Sequence, residues 1–293
     1  MMARIRSSRP LSVSTMTVVV LAFATAGCAS TTPSPSPAVS GALERSPAVT
    51  AASSPGPSSA PPPSVSSASP APVAADRVPA RLEPGVAYRP AIDPANFVEA
   101  IDNPYWPLAP GTHWTFRSQE QRTETTVTPD RRPVMGVSTV VVHDQVFNGS
   151  DLAEDTFDWY AQDKAGNVWY FGEATTSYED NPAGDHAGSW EAGVDGAQPG
   201  IVMLADPLSG DVYRQEFKAG EAEDIAMVRR LDAKLKVPAG SFGDVLVTEE
   251  WTPLEPDVIE LKYYAKGTGV IEERQILGGD ELVQLRKMTP SGG

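Results

Sequence analysis

Five acidic residues crowd into one glycine-rich stretch, EDNPAGDHAGSWEAGVDGAQPG, which covers residues 179–200. They are Glu179, Asp180, Asp185, Glu191 and Asp195. Calcium prefers several oxygen ligands, and a flexible loop of this length can bring carboxylates together around one ion. The stretch therefore predicts a Ca²⁺ site, the one cofactor that the sequence suggests. The Asp-x-Asp-x-Asp-Gly spacing of an EF-hand loop is missing, and the alternative interpretation is an acidic loop solvated by water.

Residues for catalysis are harder to find. The sequence has no Gly-x-Ser-x-Gly nucleophile elbow, and its three histidines are too scattered for a zinc site. Adjacent carboxylates such as Glu249 and Glu250 point to opposite faces of a strand. The two carboxyls of a glycosidase, about 5–10 Å apart in one cleft, would have to come from different strands. We therefore expect a binding protein rather than an enzyme and keep a carboxylate-based extracellular hydrolase as the alternative.

A hairpin is predicted in DWYAQDKAGNVWYFGE, residues 158–173, which hold five aromatic side chains. Residues 164–166 fit a three-residue loop, in which Gly166 supplies the positive φ that the loop needs. The pairs expected across the hairpin are Ala161 with Trp169, Tyr160 with Tyr170, Trp159 with Phe171, and Asp158 with Gly172. Cross-strand aromatic pairs stabilise a sheet by about 0.2–1 kcal/mol each, so part of this pattern is structural.

The aromatic residues of the hairpin fall on both of its faces. Trp159, Trp169 and Phe171 share one face, and Tyr160 and Tyr170 share the other. One core face does not require both sets, so we expect Trp159 and Phe171 to be buried and the tyrosine set to be covered by another segment or to meet a ligand. The ligand-binding candidates are Trp106, Tyr160, Tyr170 and Trp190.

Hydrophobic periodicity indicates the elements that carry these residues. The segment VIELKYYA from Val258 alternates Ile259, Leu261 and Tyr263 with Glu260, Lys262 and Tyr264, which is typical of a half-buried strand. About ten such segments follow one another, separated by turn signals such as FNGSD and DKAGN, without a convincing long helix. The sequence predicts an all-β fold, an antiparallel meander of about ten strands that forms a curled sheet, half-barrel or barrel. Tyr105 and Trp106, in the proline-rich arm FVEAIDNPYWPLAPG, are expected to pack against this sheet.

The N-terminus predicts export. Arginines precede the apolar run LSVSTMTVVVLAFATA, which ends at ATAGC, so residues 1–27 form a predicted signal peptide. ATAGC resembles the bacterial lipobox, and Cys28 is the only cysteine in the chain. We expect Cys28 to carry diacylglycerol and a further acyl chain such as palmitate, which anchors the protein to the extracellular face of the bacterial cell membrane. An ordinary secretory signal with an incidental cysteine is the alternative.

Composition divides the rest of the chain in two. Residues 28–82 are mostly Ser, Pro and Ala, which cannot bury enough apolar surface to fold, so we expect a disordered tether. Residues 83–293 form the predicted β-rich domain. The chain holds 23 bases and 38 acids, of which 6 and 2 lie in residues 1–82, so this domain has a net charge of −19. A surface this acidic repels phosphate backbones, and nucleic acid is excluded as an expected partner.

Several blocks of the domain are similar to a known group of proteins. The blocks are IDNPYWPLAPGTHW, EDTFDWYAQDKAGNVWYFGE, GSWEAGVDGAQPGIVM, YRQEFKAGEAEDIA, VPAGSFGDVLVTEEWTPLEP and KYYAKGTGV. They resemble a family of secreted bacterial proteins that carry such blocks in this order over nearly all of residues 100–288. The family has no assigned activity, so the resemblance implies no catalytic residues. The last blocks also resemble periplasmic β-proteins that cup apolar ligands.

These expectations combine into one hypothesis with two alternatives. The favoured hypothesis is a lipid-anchored cell-envelope protein whose curled sheet binds an apolar or amphipathic small molecule. The alternatives are the extracellular hydrolase and a passive domain whose surface meets another envelope protein.

Overall fold

The computed structural model describes residues 88–178 and 181–292, which form one antiparallel sheet. Its strands are β1 (Phe97–Val98), β2 (His113–Arg117), β3 (Gln121–Val134), β4 (Val137–Asn148), β5 (Asp151–Asp163), β6 (Val168–Ser177), β7 (Trp190–Glu191), β8 (Gln198–Met203), β9 (Val212–Arg214), β10 (Glu216–Phe217), β11 (Ile225–Val237), β12 (Gly240–Trp251), β13 (Ile259–Ala265), β14 (Gly269–Leu277) and β15 (Leu282–Thr289). A 3-10 turn at Pro94–Asn96 precedes β1. The predicted signal peptide, Cys28 and the predicted tether lie outside the described residues. Within the described ranges, no helix has the length and apolar character needed to cross a membrane.

The sheet curls until its two edges nearly meet. Thirteen strands follow one hydrogen-bonded path, in the order β10, β8, β6, β5, β4, β3, β2, β15, β14, β13, β12, β11, β9. Residues 212–217 bring the edges together, because β9 pairs with β11 and β10, two residues later, pairs with β8. At this point a side chain on Gly200 would lie 2.2 Å from the backbone of Gln215. The all-β fold and the nearly closed barrel are confirmed.

The structure has fifteen strands where about ten were predicted. The segment DVYRQEF from Asp211 was predicted as one strand and forms two short ones, β9 and β10. Two other short strands, β1 and β7, were not predicted and have two residues each. Segments this short show no alternation of apolar and polar residues, and they are fixed by pairing with a long neighbour, as β1 pairs with β5.

The inside of the barrel is unusually polar. In β13 the buried side chains are Glu260, Lys262 and Tyr264, whereas Ile259 and Leu261 on the outside are only half-buried. β3 shows the same arrangement, because Gln121, Thr123 and Thr125 are buried and alternate with half-buried residues. The alternation predicted from the sequence is therefore present, and in these strands the polar set faces the interior.

The arm before β2 packs across one end of the barrel. Asn103 Nδ2 donates to the carbonyls of Gly166 (2.9 Å) and Leu204 (3.1 Å), and the amide of Gly267 donates to the Pro104 carbonyl (2.8 Å). These partners lie in the β5–β6 and β13–β14 connections and just after β8, which share this end. Tyr105 and Trp106 are buried, so the prediction that both pack against the sheet is confirmed.

Candidate functional site

The structure brings all four predicted ligand-binding residues into one row inside the barrel. The ring centroids of Trp106 and Tyr160 are 5.7 Å apart, those of Tyr160 and Tyr170 are 4.8 Å apart, and those of Tyr170 and Trp190 are 5.3 Å apart. Tyr264 joins the row at 5.9 Å from Trp106. All five side chains are at most 7% exposed. We call these five residues the aromatic row; its role in binding a ligand stays a prediction.

The second aromatic set of the hairpin packs on the outside of the barrel. Trp159 and Phe171 are 4% and 0% exposed, as predicted. The guanidinium of Arg132 lies 4.0 Å from the Trp159 ring centroid, and the ring of Phe97 lies 5.5 Å from that of Phe171. The protein thus covers the hairpin on both faces, so exposed aromatic residues do not provide an argument for a ligand. That argument has to come from polar groups.

The hairpin register departs from the prediction beyond Tyr160, and this difference changes the site. The loop and the pairs Tyr160 with Tyr170 and Ala161 with Trp169 are confirmed, but the predicted pair of Trp159 with Phe171 falls at a register shift and Asp158 faces Glu173 rather than Gly172. A β-bulge inserts one extra residue in β6, where Gly172 has φ +126° and a Cβ would lie 2.3 Å from the Trp190 carbonyl oxygen. The extra residue turns the Glu173 side chain to the same interior face as Asp158.

Six buried carboxyl groups surround the interior. They are Asp144, Asp158, Glu173, Glu216, Glu260 and Glu273, on six different strands, and we call them the inner carboxylates. Each has at least one oxygen without a hydrogen-bond partner among the described residues. The Tyr160 hydroxyl and the indole nitrogen of Trp106 are likewise unpartnered there. An unsatisfied buried polar group costs about 1–3 kcal/mol, so these groups require water or a bound molecule.

In three of the inner carboxylates, one oxygen accepts a hydrogen bond from a hydroxyl group, and the other oxygen has no partner among the described residues. The Tyr170 hydroxyl donates to Asp158 Oδ1 (2.7 Å), and Asp158 Oδ2 is unpartnered. The Thr125 hydroxyl donates in the same way to Asp144 Oδ1 (2.5 Å), whose Oδ2 is unpartnered. The Thr175 hydroxyl donates to Glu173 Oε2 (3.1 Å), and Glu173 Oε1 is unpartnered. These contacts orient the carboxyl groups and leave hydrogen-bonding capacity within the barrel.

Burial raises the pKa of these carboxyl groups, because the ionised form loses its hydration. The pKa of Asp158 rises to about 8, through burial and then the charge of Glu154, although the Tyr170 hydrogen bond opposes the rise. Burial raises the pKa of Glu260 to about 8 and that of Glu273 to about 7. Much of this group therefore holds protons near neutral pH.

Lys262 is the base that faces these acids from β13. Its Nζ lies 3.1 Å from Glu250 Oε2, and both side chains are at most 7% exposed. Burial alone lowers the pKa of the Lys262 ammonium, but the carboxylates of Glu250 and Glu273 outweigh it and hold that pKa above its usual value. Glu250 also accepts hydrogen bonds from the hydroxyls of Thr248 (2.6 Å) and Tyr264 (2.9 Å). Lys262 thus already forms an ion pair with Glu250.

Two pockets lead into the interior from different sides. A polar pocket that opens to solvent lies at the end opposite the arm and is lined by Asp224, Glu250, Trp251, Thr252, Val258, Glu260 and Lys262. A shallow apolar pocket, also open to solvent, lies between the arm, β2 and the start of β14, and is lined by Trp106, Pro107, Leu108, Trp114, Phe116, Thr125, Thr268, Gly269 and Val270. Its inner wall includes Thr125, which binds Asp144, and Trp106, which contacts Tyr160. The apolar pocket thus ends next to the polar interior.

The acidic loop is only partly described, since Glu179 and Asp180 fall outside the described residues. Glu191 Oε2 accepts a hydrogen bond from Arg132 (2.6 Å), Asp185 Oδ1 accepts one from the amide of Ala187 (2.9 Å), and Asp195 has φ +49°. Across residues 88–178 and 181–292, no three His, Cys, Asp or Glu side chains are placed to hold a metal ion. The Ca²⁺ site in this loop stays a prediction.

Two other polar features have defined places in the structure: His143 and the cross-strand carboxyl pairs. His143 Nε2 lies 2.7 Å from Asp155 Oδ1, and its ring stacks on Phe157 at 4.3 Å, on the outside of the barrel. The cross-strand carboxyl pairs that sequence alone could not place include Asp158 with Glu173 in the interior. Such pairs are what the hydrolase alternative requires, and that alternative also stays a prediction.

Comparisons with known proteins give little guidance. No protein-family model matches the sequence, and no curated protein matches it significantly. A solved structure from Bacteroides fragilis, of a protein inferred to be exported and with a YmcC-like fold, is 12% identical, with 64% of this chain and 99% of that chain covered and a TM-score of 0.38. Another solved structure, from Parabacteroides distasonis, is of a protein inferred to be a lipoprotein and is 10% identical to this chain. The match covers 66% of this chain and 100% of that chain, with a TM-score of 0.38. Likeness at this level carries no argument about function.

Proposed function

We propose that the protein is a lipid-anchored cell-envelope protein whose barrel binds a small amphipathic molecule. The observation that carries this proposal is the apolar pocket whose inner wall reaches Thr125 and, through it, Asp144. Small-molecule sites are concave, mostly apolar and supplied with a few polar groups that orient the ligand. This pocket has that character, because Trp106, Trp114 and Phe116 form its walls.

The size of the apolar contribution indicates that the polar end of the ligand matters as well. Each buried methylene contributes about 0.8 kcal/mol, so a chain of about five methylenes contributes about 4 kcal/mol. That free energy corresponds to a Kd of about 1 mM. Tighter binding therefore requires hydrogen bonds or charge from the interior beyond Thr125.

Filling the apolar pocket tests the proposal. Val270 lines the pocket and is half-buried, so Val270→Phe occupies space that an alkyl chain would use. In a titration of the purified chain with octyl glucoside below its micelle concentration, tryptophan fluorescence should change saturably, because Trp106 and Trp114 line the pocket. Val270→Phe should weaken this binding by about five- to 150-fold, since overpacking costs about 1–3 kcal/mol.

The matched control is Val212→Phe, at a half-buried valine of β9 that does not line the pocket. It should bind the detergent like the unaltered chain. No saturable change in any of the three proteins would refute the proposal, and an equal loss in both variants would show that the pocket is not the site.

A further inference from the structure

We propose that the polar end of the ligand is an organic cation, an ammonium or guanidinium group, received by Asp158 and Glu173 beside the aromatic row. This inference rests on the proposed function, because it assumes that the barrel takes an amphipathic molecule. It names the chemical class of the polar end of that molecule.

The hydrogen-bonding capacity of the interior points to a donor-rich ligand. Asp158 and Glu173 face each other across β5 and β6, and each has one oxygen held by a hydroxyl and one oxygen unpartnered among the described residues. A carboxyl group that keeps its proton has one donor as well as acceptor capacity, and an ionised one only accepts hydrogen bonds. An ammonium carries three donors and a guanidinium five, so a cationic ligand supplies donors to the unpartnered oxygens and also favours the ionised form of these two acids.

The charge balance of the interior points the same way. Lys262 pairs with Glu250, toward the end of the barrel away from the arm. No lysine or arginine in the described part of the chain forms an ion pair with Asp158 or Glu173. Their partner in the bound state therefore has to come from the ligand, if these two groups are to ionise inside the barrel.

The aromatic row supplies the second, independent feature. The faces of tyrosine and tryptophan rings attract cations, and several rings around one position are typical of sites for organic ammonium groups. Tyr170 stacks on Tyr160 and meets the Trp190 ring nearly at a right angle, and its hydroxyl binds Asp158. Trp190 pairs with Glu173 in the sheet, so both carboxyl groups lie directly beside the rings. The unpartnered Tyr160 hydroxyl shows that these rings also leave polar capacity inside.

An organic cation fits this arrangement better than a metal ion does. The inner carboxylates are distributed over six strands, and among the described residues no group of three is close enough to coordinate a metal. A metal ion needs several oxygens converging at about 2–2.6 Å. An ammonium or guanidinium group needs only two carboxyl oxygens at hydrogen-bonding distance and a ring face beside them.

Three probes with the same tail test the inference on the purified full chain: octylammonium, 1-octanol and octanoate. By titration calorimetry near neutral pH, octylammonium should bind at least about tenfold more tightly than the other two, a difference equal to about 1.4 kcal/mol. Asp158→Asn and Glu173→Gln should each lower the affinity for octylammonium at least about tenfold and remove this preference. Asn and Gln keep the size of the side chain, and the circular dichroism spectrum reports that each variant is folded.

The control is Asp155→Asn, which removes a carboxylate of the same strand that lies on the outside and binds His143. It should retain the preference for octylammonium. Equal binding of the three probes would overturn the cation assignment and leave the proposed function standing. Loss of the preference in Asp155→Asn as well would also overturn it, because the effect would then come from net charge. Binding of none of the probes would refute the proposed function together with this inference.

Discussion

The glycine in the β6 bulge offers a sharp test of how the site is built. Gly172→Ala places a Cβ on a residue with φ +126°, at 2.3 Å from the Trp190 carbonyl oxygen and 2.9 Å from Glu191 Cα. Backbone strain of this kind costs about 1–3 kcal/mol, and overpacking against backbone that cannot easily move costs a further 1–3 kcal/mol or so. We therefore expect Gly172→Ala to lower the free energy of unfolding by about 3–5 kcal/mol.

The matched control is Gly149→Ala in the turn between β4 and β5. Gly149 also has a positive φ, of +65°, but a Cβ there would meet nothing within 4 Å. Its substitution should cost only about 1 kcal/mol, the penalty for an L-residue in a left-handed conformation.

Thermal unfolding of both variants measures the difference. A change of 1 kcal/mol shifts Tm by about 2–4 °C in a domain of this size. Gly172→Ala should thus lose about 6–20 °C, and Gly149→Ala about 2–4 °C. If the two variants lose the same amount, β7 does not press against the bulge. The account of how Glu173 reaches the interior would then be wrong.

Two further predictions concern proton binding and the anchor. Because the pKa of Asp158 is about 8 when folded and near 4 when unfolded, the folded state binds more protons between about pH 4 and pH 8. Stability should therefore fall as the pH rises through this range, and denaturant midpoints should fall less in Asp158→Asn; a parallel fall in both proteins would contradict the assignment. Cys28→Ser should abolish labelling by radioactive palmitate and release the protein from membranes on fractionation, whereas labelling that persists would show that another residue is acylated.

Local patterns predicted the features that depend on neighbouring residues in the sequence. The turn of the β5–β6 hairpin follows from Asp163 and Gly166, and the structure shows the expected bond from the Asp163 amide to the Asn167 carbonyl (2.9 Å). The two aromatic faces follow from alternation alone, so the burial of Trp159 and Phe171 could be predicted. The packing of Trp106 against the sheet followed from its place between Pro104 and Pro107, in a part of the arm that forms no strand.

Features that depend on long-range contacts could not be predicted in the same way. The bulge at Gly172 exists because β7 approaches it from a loop 18 residues further along the chain. Without the bulge, simple alternation places Glu173 on the outside. The sequence alone therefore did not predict that Glu173 and Asp158 form a pair in the interior. Glu260 and Lys262 belong to the visible alternation of β13, but only closure of the barrel determines which face of that strand becomes the interior.

The interior divides into two halves with different physical roles. Toward the arm, Leu246 and Ile271 are fully buried and apolar, and they belong to a core that can stabilise the barrel. Away from the arm, carboxyl groups such as Asp158 and Glu260 occupy positions where apolar side chains would stabilise the fold more. Natural proteins keep such costly groups mainly where they serve binding or chemistry. The aromatic row lies between the two halves, so a ligand held there would place its apolar part against the core and its charged part against the acids.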